Sequence, residues 1–114
     1  MDCAAVHTWW GMVPGREKEA LDYAVEVNAY WSKLAAEGKC SGPEMFQSGS
    51  RGTWIVKGDP DTLRELYARE EVQVLAAKGD FLLQNYNHEF AITGNAMAEK
   101  LLRVAAAGQT LGYI

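Results

Sequence analysis

The chain reads as an α+β fold of the ferredoxin-like type, a βαββαβ sandwich with an extra C-terminal helix. Two observations predict it. Runs with the composition of strands alternate with runs of helical period in the order β-α-β-β-α-β. The 114 residues, 48% hydrophobic and 23% charged, are also enough for one domain with its own core, residues 1–114, and too apolar to stay disordered.

Taken in order, Ala4 to Val13 is rich in β-branched and aromatic residues and stops at the turn pair Pro14-Gly15, so it is the first strand. From Arg16 the period becomes helical. Ala20, Leu21, Ala24, Val25, Val27, Trp31, Leu34 and Ala35 fall in one arc, with Lys18, Glu19, Asp22, Glu26, Lys33 and Glu37 opposite, for a helix of about 22 residues capped by Gly38. Asn28 lies within the apolar arc, either satisfied by neighbouring backbone or facing a cavity. Glu44 to Gln47 and Thr53 to Lys57, joined by Ser48-Gly49-Ser50-Arg51-Gly52, form a hairpin.

Asp59 then stands at the cap of a second helix, with Pro60 at its first position, where a missing N–H is harmless. Leu63, Leu66 and Tyr67 mark its buried face. The same phase carried past Arg69 would bury Glu70 and expose Val72, so a break near residues 69–71 starts a shorter helix ending at Gly79. Phe81 to Thr93 is the last strand. Ala96 to Ala107 is the terminal helix, with Met97, Leu101, Leu102, Val104 and Ala105 as its apolar positions, and the tail Leu111-Gly112-Tyr113-Ile114 is apolar enough to dock.

Composition also excludes classes of partner. A net charge of −4, with 11 basic residues scattered along the chain, leaves no stripe for a phosphate backbone, so nucleic acid is not expected. Uncharged runs such as Cys3 to Pro14 fall well short of the roughly 18 to 20 apolar residues of a membrane span. Met1-Asp2-Cys3 does not open like a secretory signal, and Cys3 and Cys40 lack metal or disulfide spacing, which points to a cytoplasmic protein with reduced thiols and no metal. The first strand is apolar on both parities, Val6, Trp10 and Met12 against Ala5, Trp9 and Val13. Helices cover one face of such a sheet, so the other needs a cover, and a two-fold homodimer pairing sheet to sheet supplies one.

With the strand ending in Val13-Pro14-Gly15 before a long helix, the Gly58-Asp59-Pro60 helix entry and the broken helix from Leu63 to Val72, residues 4 to 93 resemble the dimeric α/β-barrel superfamily. That superfamily includes the antibiotic-biosynthesis monooxygenase-like, muconolactone isomerase-like and YCII-like proteins. The resemblance implies a barrel of two facing sheets with a ligand pocket in each subunit between sheet and helices. It carries over no catalytic residue, because no subfamily motif matches position by position.

The residues suited to chemistry are few. His7 and His88 are the only histidines, and adjacent first and last strands would bring them together as candidate bases. Either is equally a packed or solvated side chain, and neither has the spacing of a metal site or a strong case as a haem ligand. Trp9 and Trp54, if they share a face, would stack a flat ligand, with Tyr86 and Asn87 as polar contacts; indoles also serve as plain core anchors. Glycine-rich phosphate loops and a G-x-S-x-G elbow are absent. The expected function is therefore binding of a small apolar or aromatic metabolite without a cofactor, and the alternative is a cofactor-independent monooxygenase or isomerase using a histidine base.

Overall fold

The computed structural model describes residues 1–114 as six strands and four helices. The first strand breaks at Trp10 into β1 (Cys3–Trp9) and β2 (Gly11–Met12). Helix α1 (Glu17–Ala36) follows, then the hairpin β3 (Glu44–Ser48) and β4 (Arg51–Gly58). Next come α2 (Pro60–Tyr67), α3 (Glu70–Leu82), β5 (Leu83–Gln84), β6 (Asn87–Ile92) and α4 (Gly94–Leu111). Strands β3-β4-β1-β6 form an antiparallel sheet in that order, and β2 pairs with β5 in a separate ribbon. This is the ferredoxin-like arrangement, with both main helical segments on one face.

Register fixes which side chains meet. His7 lies opposite Trp54 on β4 and opposite His88 on β6. Successive strand residues face opposite sides, so Cys3, Ala5, His7 and Trp9 turn toward the helices and Ala4, Val6 and Thr8 turn away. The core lies on the helix side, where Trp31, Val56, Leu63 and Leu66 are the most deeply buried large side chains. Removing the Trp31 indole would cost about 3–5 kcal/mol.

Several expected boundaries move for visible reasons. The first strand divides because Trp10 N–H bonds Gln84 O and Val13 N–H bonds Leu82 O, which carries the chain from the main sheet onto β5. In the predicted last strand, Phe81 and Leu82 complete α3, and Asn85, in the left-handed region at φ 51°, separates β5 from β6. Helix α3 passes through Gly79 rather than stopping there, because Gly79 is a point of close approach; a Cβ on it would come within 2.7 Å of the Tyr86 ring and 2.8 Å of the Tyr23 hydroxyl. On α1 the buried positions are Ala20, Tyr23, Val27, Trp31 and Leu34, while Leu21, Val25 and Asn28 are exposed, so Asn28 does not face the core. Asp59 occupies the α2 cap position without a side-chain capping bond. The break between α2 and α3 falls where the phase change predicts it, with Tyr67 closing one buried face and Val72 opening the next.

Candidate ligand site

His7 sits at the centre of the helix-facing side of the sheet and is 3% exposed. Its imidazole stacks on the Trp54 indole at 3.8 Å between centroids and 14° between planes, and the His88 ring lies 5.2 Å away on its other side. Both ring nitrogens are engaged by phenols. Nε2 is 2.6 Å from the Tyr67 hydroxyl, delivered by the last turn of α2, and Nδ1 is 2.7 Å from the Tyr86 hydroxyl, delivered by the tight turn between β5 and β6. The Tyr23 hydroxyl donates to the Leu75 carbonyl at 2.8 Å.

Burial, and then the neighbouring His88, push the His7 pKa down to about 3, so the ring is neutral near neutral pH. A neutral imidazole offers one donor and one acceptor. One of the two phenols therefore donates to the unprotonated ring nitrogen, and the protonated ring nitrogen donates to the other phenol. Tyr23 spends its proton on the Leu75 carbonyl. Burial raises the Tyr67 and Tyr86 phenols far above their ordinary value and holds Tyr23 at about 12. All four side chains are therefore uncharged near neutral pH. No buried side-chain nitrogen or oxygen lacks a partner.

Space beside His7 is small. The void between His7, Tyr23, Trp31, Trp54, Tyr67 and Tyr86 is about 10 Å³, room for at most one water. A macrocycle does not fit there, and no three His, Cys, Asp or Glu side chains converge anywhere to hold a metal.

A larger apolar cleft, about 160 Å³, opens on the other side of Trp54, between the first half of α1 and the β3–β4 hairpin. Trp9, Trp54, Met45, Leu83 and Tyr23 form its walls, and its polar groups are Gln47 and Ser50 on the hairpin. The Gln47 amide N–H donates to Gly49 O, which turns the side chain along the hairpin. Trp9 reaches its place by lying flat across Gly52, where a Cβ would be 2.1 Å from the indole. Trp54, Tyr23 and Val27 line both spaces and form the partition between cleft and His7.

Sequence reasoning placed some of these residues and missed others. Trp9 and Trp54 do share the helix-side face and both line the cleft. His7 and Tyr86 are hydrogen-bonded, and His88 lies beside His7 but is exposed. Asn87 pairs with Thr8, which turns away from the helices, so it lies on the opposite side of the sheet from His7. Tyr67 was legible only as a buried helix position. Tyr23 was hidden because the apolar arc was centred on Leu21 and Val25, although its spacing, three after Ala20 and four before Val27, fits the buried face.

No family model and no curated protein matches the sequence. Solved structures do match. A conserved protein of unknown function from Bacteroides thetaiotaomicron, described as a possible oxidoreductase, superposes with a TM-score of 0.63 at 12% identity over 81% of this chain and 98% of that one. A Pseudomonas aeruginosa protein gives 0.59 at 21% identity over 82% and 94%. A Chloroflexus aurantiacus protein, provisionally described as an antibiotic biosynthesis monooxygenase, gives 0.55 at 14% over 81% and 93%. The likeness is one of fold. It agrees with the α+β ferredoxin-like reading, and at these identities it assigns no activity. No helix is long and apolar enough to cross a membrane.

Proposed function

We propose that this protein binds a small, uncharged, apolar or aromatic metabolite in the cleft between α1 and the β3–β4 hairpin. The observation that carries the reading is the cleft itself, walled by Trp9 and Trp54 and free of charged lining residues. Its volume of about 160 Å³ is close to the roughly 150 Å³ of an engineered apolar cavity that holds benzene, so a single-ring molecule is the natural guest. Two indoles supply stacking surface, and a charged ligand would lose its hydration without a counter-charge. Titration with p-cresol should quench the indole fluorescence saturably, and Trp54→Ala should abolish the saturable component. A linear, non-saturating response of the wild-type protein would refute the reading.

The working unit in this proposal is a cytoplasmic homodimer. The outward face of the sheet carries Val6, Ile55 and Phe46, of which Phe46 is 53% exposed, and a second copy laid on it would cover them. Sedimentation velocity distinguishes this from a monomer.

A second reading, a cofactor-independent monooxygenase or isomerase, is favoured by the Tyr67–His7–Tyr86 relay beside the cleft, and two of the structural neighbours carry oxidoreductase or monooxygenase descriptions. In that reading, movement of Trp54 or Tyr23 opens the partition and one tyrosine bond to His7 releases, after which His7 accepts a substrate proton. A group with so low a pKa is a weak base, which is why binding is placed first. Substrate turnover lost on His7→Phe with ring binding retained would favour the enzyme.

A further inference from the structure

The floor of the cleft is laid out in rows across the sheet. Gly52 on β4 pairs with Trp9 on β1 and with Gln47 on β3, so the three stand side by side on the helix-facing side, with neighbouring strands about 4.8 Å apart. Gly52 carries no side chain, and Trp9 uses the space: a Cβ there would lie 2.7 Å from the indole Nε1. The indole therefore reaches across the middle strand, and its N–H edge stands over β4, next to Gln47. In the next row Trp54 pairs with Met45 and stacks on His7.

The hydrogen-bonding groups of the first row are free. Trp9 is 9% exposed, yet its N–H donates to no protein group. Side-chain nitrogens sealed from solvent all have partners, so this one opens on accessible space, and the cleft is the space that Trp9 lines. The Gln47 amide spends an N–H on Gly49 O at 2.8 Å, which turns its nitrogen toward the hairpin turn and leaves Oε1 an acceptor without a donor. Ser50 closes the same end, its Cβ 3.7 Å from where a Cβ on Gly11 would stand. Gln47 and Ser50 are both exposed, so this end is the mouth of the cleft.

Resting on the cleft as the ligand site, we propose that its mouth reads a hydroxyl group on the bound ring, with Gln47 as the specificity-determining residue. An indole N–H can only donate, and the free Gln47 oxygen can only accept. A hydroxyl does both, accepting from Trp9 while donating to Gln47. A ring carbonyl would satisfy Trp9 alone, and an aromatic amine, whose nitrogen is a poor acceptor, would satisfy Gln47 alone. A carboxylate finds no cation among the lining residues. With its hydroxyl held at the mouth, the ring lies inward against Trp54 and Met45, where an indole face and a thioether both suit an aromatic guest.

Calorimetric titration of the full chain with two rings of equal size tests this. p-Xylene replaces the hydroxyl of p-cresol by a methyl group. A mouth without partners for the hydroxyl would prefer p-xylene, because a hydroxyl gives up its hydrogen bonds to water on entry. The wild-type protein should instead bind p-cresol several-fold more tightly than p-xylene. Gln47→Leu should weaken p-cresol about five- to tenfold, the equivalent of one hydrogen bond, and leave p-xylene within about twofold. Retained p-xylene binding also shows that the fold and the cleft of the variant are intact. If the wild-type protein prefers p-xylene, or if Gln47→Leu weakens both rings alike or neither, the hydroxyl proposal is overturned while the cleft stands as a ring site. If neither ring binds saturably, the cleft is not a ring site and the proposal falls with it.

Discussion

Acidification should unfold this protein through one residue. His7 titrates near 6.5 in an unfolded chain and at about 3 in the fold, where Tyr67, Tyr86 and His88 face it and burial forbids its charge. Between those values the unfolded state binds the extra proton, so stability is full above pH ~6.5 and is lost as pH falls toward 3. At 1.36 kcal/mol per pH unit, moving from neutral pH to pH ~5 removes about 2 kcal/mol. In urea unfolding with an m-value of about 1–2 kcal/mol/M, that is a midpoint drop of about 1–2 M. His7→Phe supplies the control. It strands two phenols at about 1–3 kcal/mol each and so lowers stability at every pH, but it deletes this proton and should flatten the slope between pH ~5 and 7. The triple variant His7→Phe, Tyr67→Phe, Tyr86→Phe removes the stranded hydroxyls and should recover part of the loss. If wild-type and His7→Phe proteins lose the same stability on acidification, His7 is not the buried neutral group described here.

Other expectations follow from the same geometry. Gly52→Ala drives a methyl into the Trp9 indole and should destabilise by about 1–3 kcal/mol while weakening ring binding, read by thermal melts and fluorescence titration. Gly79→Ala collides with Tyr86 and Tyr23 and should destabilise by a similar amount despite alanine's better helix propensity. On the alkaline side Tyr23, Tyr67 and Tyr86 have raised pKa values, so unfolding is favoured as pH rises through ~10; phenolate absorbance should show these three ionising only together with loss of the fold.

Much of this architecture is legible in the residues, and the parts that are not have definite causes. Helix period gave α1, the break at Arg69 and the apolar faces of α2 and α4, because a long amphipathic segment repeats its signal over several turns. The parity of β1 was ambiguous because both its faces are apolar, and the tie is broken only by pairing to Trp54 and His88, contacts far apart in sequence. Gly79 was mistaken for a stop because a glycine can end a helix or admit a neighbour, and only the tertiary contact with Tyr86 decides between them. His7, Tyr86, Trp9 and Trp54 were identifiable by residue type. Their division into a buried polar network and a separate apolar cleft was not, since the partition is made by Tyr23 and Trp54 from different elements.

A ring that enters the cleft between α1 and the hairpin lies against Trp9 and Trp54. Two-dimensional NMR of the four tryptophan indole N–H groups during titration with p-cresol tests it most directly. Saturable shifts are expected at Trp9 and Trp54, with Trp31 little moved behind the partition and Trp10 unaffected on the outside. Shifts confined to Trp10, or none that saturate, would contradict it.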